Sequence, residues 1–202
     1  MTKIKLCGLS RPCDMEAANQ LLPEYIGFVF VPGSKRYVSP EQAAGLKRYL
    51  DPRIRVVGVF VNEECRKVAQ LLETHVIDIA QLHGNEGEEY VIRLKALSQK
   101  PIVQAFRIDT EQDVLAANRS SADYVLLDSG NGGTGTAFCW ELAKKMKRNY
   151  FLAGGLDSDN VKRALEILHP YAVDVSSGVE TRGYKDKEKM HAFVEAVRNQ
   201  PE

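Results

Sequence analysis

Short apolar runs alternate with segments of helical periodicity along the whole chain, and this alternation is the strongest structural signal in the sequence. The runs are rich in Val, Ile, Leu and Phe, which predicts buried strands. The intervening segments repeat apolar residues every three or four positions, as Met15, Ala18 and Leu22 do, which is typical of amphipathic helices. The pattern therefore predicts a regular succession of strands and helices.

The succession contains eight strand–helix units. Strands are predicted at residues 4–9, 25–31, 55–61, 76–83, 101–108, 123–129, 150–153 and 172–179. Helices are predicted at residues 11–22, from 39 onward, from 62 to about 75, and at 85–98, 110–118, 138–147, 158–168 and 186–198. The second helix has a clear start, with Ser39 as N-cap, Pro40 in the first turn and Glu41 near the positive end of the helix dipole.

This alternation predicts one fold. Strands separated by helices pair in parallel through right-handed crossovers. Eight units in 202 residues, about 25 residues each, can close as a (β/α)8 TIM barrel near the lower end of its length range. An open doubly wound sheet is the alternative, but it usually has fewer strands, and no Gly-x-Gly-x-x-Gly follows the first strand here. Because no linker-like segment interrupts the pattern, we expect a single α/β domain over residues 1–202.

Composition narrows the possible partners. The 27 basic and 27 acidic side chains give a net charge of zero and are evenly interspersed, which predicts no nucleic-acid and no membrane partner. No run approaches the roughly 20 apolar residues of a membrane span, and the start does not resemble a signal peptide. The four cysteines are irregularly spaced, which argues against a metal site or a disulfide framework. We therefore expect a cytoplasmic protein.

The chemistry should lie at the ends of the strands. In a TIM barrel, the loops after the carboxyl ends of the strands form the active site. The polar and glycine residues at those ends are Cys7-Gly8, Ser34-Lys35-Arg36, Gln81-Leu82-His83-Gly84, Arg107, Asp128, Gly154-Gly155 and Ser176-Ser177-Gly178. We expect them to converge on one mouth of the barrel.

The last two strand ends predict a phosphate site. Gly154-Gly155 and Ser177-Gly178 permit a close backbone approach, and Ser158 and Asp159 fall at a predicted helix start. Glycine loops and helix N-termini bind phosphate through backbone N–H groups, and this is the usual phosphate position in such barrels. The alternative is two tight turns that the short loops require.

Cys7 has two interpretations. A buried cysteine is by default a small hydrophobic residue, but its position at the end of a strand before a glycine favours a reactive role. Lys5 shares the parity of Cys7, and an ammonium below the thiol would favour the thiolate and make Cys7 usable as a base. Asp174 on the last strand could equally neutralise Lys5. The sequence leaves both possibilities open.

Three other residues are candidates with simpler alternatives. Asp128 ends a strand before a segment with four glycines, which suits a reactive acid under a mobile cover or, alternatively, an aspartate that caps a turn. Arg36 is a candidate clamp for a carboxylate or a solvated loop charge. His83 either contacts a substrate or satisfies backbone groups.

Together these strand ends resemble the phosphoribosylanthranilate isomerase family of tryptophan biosynthesis. The motifs are Lys5-Leu6-Cys7-Gly8-Leu9-Ser10, Gly27-Phe28-Val29-Phe30, Ser34-x-Arg36-Tyr37-Val38, Val57-Gly58-Val59-Phe60-Val61, Gln81-Leu82-His83-Gly84, Leu127-Asp128, Gly132-Gly133-Thr134-Gly135, Leu152-Ala153-Gly154-Gly155-Leu156, Asp174-Val175-Ser176-Ser177-Gly178-Val179-Glu180 and Gly183-x-Lys185-Asp186. They extend from the first strand to the last helix, and their number and order make the resemblance specific.

The resemblance implies an Amadori rearrangement of N-(5-phosphoribosyl)anthranilate to 1-(2-carboxyphenylamino)-1-deoxyribulose 5-phosphate, without a cofactor. It implies that Cys7 is the base, that Asp128 is the acid and that Arg36 holds the anthranilate end. Residues expected to bind the phosphorylated substrate are Arg36, His83, Gly154, Gly155, Asp174, Ser177 and Gly178. Asp128 must be protonated near neutrality for this chemistry, which burial favours. A monomer and a homodimer both remain open.

Two positions depart from the family pattern. Lys35 stands where proline is common, so the loop that presents Arg36 is expected to be less rigid. Cys139 stands where an aspartate is usual, which removes a contact at a helix start.

Two alternative functions remain. One is the related sugar isomerase of histidine biosynthesis, which is expected to use two aspartates, whereas strand one here ends in Cys7. The other is a non-catalytic barrel that binds a phosphorylated metabolite, which would require neither Cys7 nor Asp128.

Overall fold

The computed structural model describes residues 1–128 and 137–199, and these residues form a closed parallel barrel. The strands follow one another around the barrel in chain order, from β1 to β8, and β8 closes on β1. They are β1 Lys3–Cys7, β2 Tyr25–Val29, β3 Arg55–Phe60, β4 Ile79–Leu82, β5 Ile102–Arg107, β6 Tyr124–Asp128, β7 Tyr150–Ala153 and β8 Ala172–Val175. The predicted (β/α)8 TIM barrel is confirmed.

The helices form the outer layer of the barrel. They are α1 Pro12–Leu21, α2 Pro40–Lys47, α3 Cys65–Glu73, α4 Glu88–Leu97, α5 Glu111–Arg119, α6 Ala137–Ala143, α7 Val161–Leu168 and α8 Lys187–Arg198. The start of α2 follows the sequence signal, since the Ser39 hydroxyl accepts a hydrogen bond from the Gln42 N–H and the Gln42 side chain accepts one from the Ser39 N–H. None of the helices within the described ranges is long and apolar enough to cross a membrane.

The buried side chains form two layers and a small cluster at the mouth of the barrel. The larger layer lies between strands and helices and contains most of the buried Leu, Ile, Val and Phe side chains. Inside the barrel, alternate strand residues form a second layer, which comprises Tyr25, Val57, Ile79, Val103, Leu126, Phe151, Ala153 and Ala172. Cys7, Val29 and Val59 form a separate small cluster at the mouth. The barrel is therefore a packed core whose upper end carries the strand termini.

The structure differs from the sequence prediction after the last strand. The predicted strand at 172–179 ends at Val175, and Ser177–Val179 form a single 3-10 turn instead. A short antiparallel hairpin follows, made of β9 Glu180–Thr181 and β10 Tyr184–Lys185, which the apolar pattern did not reveal. Strands of two residues are too short to produce a period-two signal.

Some predictions concern residues that the structure does not describe. The glycine-rich segment after Asp128, predicted to be a mobile cover, comprises residues 129–136 and lies outside the described residues. The side chain of Cys139 also lies outside them.

Candidate active site

A cavity of about 340 Å³ lies at the mouth of the barrel, where the carboxyl ends of the strands meet. Of the nine residues predicted to form the site, eight line this cavity, namely Cys7, Arg36, His83, Asp128, Gly154, Gly155, Asp174 and Ser177. Gly178 is not among the lining residues but directly follows Ser177, which is. The fold therefore brings together side chains from both ends of the sequence.

Cys7 lies above a buried ion pair. The Lys5 ammonium donates to both carboxylate oxygens of Asp174, at 2.9 and 2.8 Å, and the Lys5 side chain is completely buried. Burial alone would lower the pKa of Lys5, but the Asp174 carboxylate outweighs burial and raises it. Burial raises the pKa of the Cys7 thiol, although Lys5 opposes this effect. Of the two possibilities left open by the sequence, Asp174 neutralises Lys5, and burial favours the thiol form of Cys7.

Asp128 is paired with His83. The His83 Nε2 lies 3.2 Å from Asp128 Oδ2, and its Nδ1 lies 2.9 Å from the amide nitrogen of Gln81. Because an amide nitrogen can only donate, Nδ1 accepts and Nε2 carries the proton that it donates to Asp128. His83 therefore contacts the candidate acid directly, which the sequence did not indicate.

Arg36 is held at the rim by Glu180. Its Nε donates to Glu180 Oε1 at 2.5 Å and its Nη2 donates to Oε2 at 3.0 Å. The loop that carries Arg36 is closed by a hydrogen bond from the Val38 N–H to the Val29 carbonyl, and the Arg36 N–H donates to the Ser34 hydroxyl. Arg36 is thus a fixed cation at the cavity rather than a solvated loop charge.

The loops after β7 and β8 present unused backbone donors. The N–H groups of Gly154, Gly155, Ser177 and Gly178 make no hydrogen bond to any of the described residues. Gly154 and Gly155 have φ values of 92° and 65°, a backbone conformation that favours glycine. A Cβ on Gly178 would lie 2.0 Å from the Leu156 carbonyl oxygen, so only glycine fits there. The two loops can therefore offer several N–H groups to one anion.

The predicted helix start at Ser158 and Asp159 is wrong. Helix α7 begins at Val161, because the Asp157 carboxylate accepts hydrogen bonds from the N–H groups of Asp159 and Asn160 and holds a turn in front of the helix. The Asn160 amide also donates to the Gly155 carbonyl. The N–H groups of Asp159 and Asn160 are already used, and neither Ser158 nor Asp159 lines the cavity, so the candidate anion site consists of the two glycine loops.

Sequence reasoning gave no role to three residues near the cavity. Gln81 lines it, and its Oε1 is buried without a hydrogen-bond partner in the described part of the chain. Glu180 and Lys185 form a buried ion pair of 2.8 Å behind Arg36. Gln81 was expected at the mouth as part of Gln81-Leu82-His83-Gly84 but received no role of its own, whereas Glu180 and Lys185 lie on the hairpin that the pattern did not reveal. No three metal-ligating side chains are grouped together within residues 1–128 and 140–199.

Comparison with known proteins identifies the family. A family profile described as N-(5'phosphoribosyl)anthranilate (PRA) isomerase matches residues 4–196. The N-(5'-phosphoribosyl)anthranilate isomerase of Thermoanaerobacter sp. (strain X514) is 43% identical over 204 aligned residues, which cover 98% of each chain.

Solved structures agree with this match. The crystal structure of phosphoribosyl anthranilate isomerase from Thermotoga maritima is 34% identical, has a TM-score of 0.90, and is matched over 99% of this chain and 100% of that one. A phosphoribosyl anthranilate isomerase in complex with reduced 1-(o-carboxyphenylamino)-1-deoxyribulose 5-phosphate is 33% identical, with a TM-score of 0.87 and the same coverage. By sequence, fold and arrangement of strand ends, this chain belongs to the N-(5'-phosphoribosyl)anthranilate isomerase family.

Proposed function

We propose that Cys7 and Asp128 are the general base and general acid of this isomerase. The protein converts N-(5'-phosphoribosyl)anthranilate to 1-(2-carboxyphenylamino)-1-deoxyribulose 5-phosphate in tryptophan biosynthesis, as an aldose–ketose isomerase. The observation that carries the assignment is that Cys7 and Asp128 end strands β1 and β6 and line the same cavity. A substrate in that cavity can contact a proton donor and a proton acceptor together.

The reaction requires both groups. Protonation of the ribose ring oxygen breaks its bond to C1, and the nitrogen lone pair forms the C1=N iminium. A base then takes the proton from C2, and the C2–H electron pair forms the C1=C2 bond of an enolamine. This enol tautomerises to the C2 ketone as C1 gains a proton. Asp128 would supply the first proton, and Cys7 would remove the proton from C2.

His83 fits this scheme as the group that orients the acid. It donates to one oxygen of Asp128 and so restrains the carboxyl group at the wall of the cavity. Its second ring nitrogen is fixed by Gln81, which itself lies on the cavity wall. A histidine fixed at both nitrogens keeps the carboxyl group in one orientation, as catalysis by a single positioned acid requires.

The protonation of Cys7 must change during the reaction. Burial keeps the pKa of the Cys7 thiol above its usual range. An iminium cation that forms beside the thiol would favour the thiolate, because a nearby opposite charge stabilises the charged form of an acid. Cys7 would thereby become a base only after ring opening, once its thiol proton has passed to the Asp128 carboxylate that gave up its own proton to the ring oxygen, and when the proton on C2 becomes acidic. Ring opening followed at once by removal of the C2 proton suits this substrate, because its ring-opened iminium is labile in water.

The two ends of the substrate match the two remaining parts of the site. The unused N–H groups of Gly154, Gly155, Ser177 and Gly178 suit the phosphate group. Arg36 suits the anthranilate carboxylate, because a guanidinium binds a planar carboxylate through paired hydrogen bonds. Asp174 lines the same cavity, where it can accept a hydrogen bond from a ribose hydroxyl in addition to its pair with Lys5.

Steady-state kinetics of the anthranilate-bearing substrate tests the assignment, since its fluorescence is lost on turnover. Cys7→Ala and Asp128→Asn should each lower kcat by about 10²–10⁴-fold with little change in KM, because both groups act in the transition state. Arg36→Met should instead raise KM as well as lower kcat. Cys65→Ala, at a second buried cysteine on the outer layer, is the matched control and should keep normal turnover.

Near-normal kcat in Cys7→Ala would mean that the assigned base is wrong. Turnover of the corresponding histidine-pathway aminoaldose, but not of the anthranilate substrate, would favour the second isomerase. We also propose that the protein acts in the cytoplasm on this small phosphorylated substrate, as a monomer or a homodimer. Sedimentation equilibrium distinguishes the two oligomeric states.

A further inference from the structure

Glu180 takes no part in the proposed reaction, although both of its carboxylate oxygens accept hydrogen bonds. It begins the short hairpin behind the rim of the cavity and is 9% exposed. Oε1 accepts from Arg36 Nε at 2.5 Å and Oε2 accepts from Arg36 Nη2 at 3.0 Å. The two side chains therefore form a paired, side-on salt bridge across 144 positions of sequence.

The side-on geometry leaves one edge of the guanidinium unused. A guanidinium has five N–H donors, and the Nε and Nη2 edge is taken by Glu180. Nη1 makes no hydrogen bond to any of the described residues, and Arg36 lines the cavity. The Nη1 and Nη2 edge is therefore the part of Arg36 on which a substrate carboxylate can form a second paired contact.

Glu180 is itself fixed from behind. Lys185 Nζ donates to Oε1 at 2.8 Å and to the Ser176 carbonyl at 2.8 Å, and Lys189 Nζ donates to the Glu180 carbonyl at 2.8 Å. Burial alone would raise the pKa of Glu180, but the hydrogen bonds from Arg36 and Lys185 outweigh burial and lower the pKa to about 2. Glu180 is thus a rigid anion at any pH at which the enzyme works.

The arginine also has little freedom on its other side. Its stem passes over the end of β1, where a Cβ built on Gly8 would lie 2.4 Å from Arg36 Cδ. Lys35 adds a weaker contact, with its Nζ 3.3 Å from Glu180 Oε2 and its side chain 59% exposed. Arg36 is therefore confined by Gly8 beneath it and by Glu180 beside it.

We propose that Glu180 is a positioning residue that orients Arg36 to recognise the anthranilate carboxylate. The inference rests on the proposed function, in which Arg36 binds that carboxylate. Glu180 takes up one edge of the guanidinium and so leaves the other edge for a carboxylate in the cavity that Arg36 lines. The opposite possibility is that Glu180 competes with the substrate for Arg36, in which case its removal would tighten binding.

Inhibition constants for two probes test the proposal. The probes are reduced 1-(2-carboxyphenylamino)-1-deoxyribulose 5-phosphate and its 1-phenylamino counterpart, which lacks the carboxylate. Glu180→Gln should raise the inhibition constant of the carboxylate probe by roughly tenfold and that of the other probe by less than about twofold. Only the carboxylate probe binds the oriented guanidinium. Lys35→Met, which removes a cation from Glu180 but leaves the Arg36 pair, is the matched control and should change neither value.

The double variant Arg36→Met/Glu180→Gln distinguishes a positioning role of Glu180 from a merely structural one. In the Arg36→Met background, Glu180→Gln should have no further effect on either probe. The proposal would be overturned if Glu180→Gln bound both probes more weakly by the same factor, or if it bound the carboxylate probe more tightly. If Arg36→Met itself fails to discriminate the probes, the assignment of Arg36 to the carboxylate fails, and this proposal fails with it.

A second variant keeps the test valid if Glu180→Gln does not fold. Glu180→Asp retains the charge but shortens the side chain, so it cannot span both nitrogens of Arg36 in the present geometry. It should weaken the carboxylate probe selectively as well. Unchanged discrimination between the probes in folded Glu180→Asp would also count against the proposal.

Discussion

The two ends of the barrel interior both contain charged and titratable groups, but they use them differently. At the floor, Lys3 Nζ donates to the Tyr171 hydroxyl at 2.6 Å, and Arg55 Nη2 donates to the Tyr25 hydroxyl at 2.6 Å. The Tyr171 hydroxyl lies 3.3 Å from the Tyr25 hydroxyl and 3.4 Å from the Tyr124 hydroxyl, and the rings of Tyr124 and Tyr171 stack at 5.1 Å. The groups of the floor satisfy one another.

The mouth leaves groups available to a ligand. The backbone N–H groups of the two glycine loops and one edge of the Arg36 guanidinium have no partner in the described ranges. Buried polar groups are normally paired within a protein, so unpaired donors around a cavity indicate where a ligand completes the pairing. Charge inside the barrel therefore does not mark the active site by itself, whereas unsatisfied donors do.

Titration separates the two ends in the same way. At the floor, burial opposes ionisation of Tyr171, but hydrogen bonds from Lys3 and with Tyr124 and Tyr25 lower its pKa to about 8. At the mouth, burial prevails and raises the pKa of the Cys7 thiol, because Asp174 has already neutralised Lys5. A cation lowers the pKa of a neighbouring acid most when no other anion is paired with that cation.

The largest effect is expected from breaking the ion pair beneath Cys7. Lys5→Met should lower the free energy of unfolding by about 3–5 kcal/mol, because it leaves the Asp174 carboxylate buried without its partner. Lys3→Met, two positions earlier on the same face and only half buried, should cost at most about 1 kcal/mol. Urea denaturation measures both. If the double variant Lys5→Met/Asp174→Leu regains most of the lost unfolding free energy, the unpaired Asp174 charge is the cause of the loss. Equal losses of unfolding free energy in Lys5→Met and Lys3→Met would contradict the difference between the mouth and the floor.

A smaller effect is expected from closing one of the glycine loops. Gly178→Ala would bring a Cβ within 2.0 Å of the Leu156 carbonyl oxygen and should shift the loop that carries the free N–H groups. We expect KM to rise about tenfold and inhibition by inorganic phosphate to weaken in parallel, since each lost hydrogen bond to a charged group is worth roughly 1.5–3 kcal/mol before relaxation. Gly45→Ala, at a position with open space around it, is the control. Unchanged phosphate inhibition in folded Gly178→Ala would remove this loop from the phosphate site.

The smallest effect should come from the floor. Tyr171 has a folded-state pKa of about 8, below its unfolded value near 10, so its ionisation stabilises the folded state at high pH and that contribution is lost as pH falls through 8. Relative to Tyr171→Phe, the protein should gain about 1 kcal/mol of unfolding free energy between pH 8 and 10, after allowance for solvent screening. Absorbance of phenolate near 295 nm should reveal one tyrosine that ionises near pH 8 and is absent from the variant. Unchanged kcat in Tyr171→Phe would keep the floor separate from catalysis, and a loss of kcat would contradict that separation.

The sequence predicted most of the fold because the relevant signals are local. The strand runs and helix starts are encoded within a few residues, as the Ser39-Pro40 start of α2 illustrates. Parity also placed Lys5 beneath Cys7, and the strand ends gave a list of nine site residues, of which eight line the cavity. The predictions failed where a side chain overrides the pattern, as when Asp157 delays the start of α7 to Val161.

The sequence by itself determined the alternation of strands and helices, and with it the barrel and the end at which Cys7 and Asp128 lie. Only the tertiary structure decided which charges pair. Lys5 meets Asp174 across 169 positions of sequence, and Arg36 meets Glu180 across 144. Such pairs depend on the register of β1 with β8 and on a hairpin too short to leave a pattern. Periodicity reports which face a residue occupies, whereas the partner on that face is set by how the barrel closes.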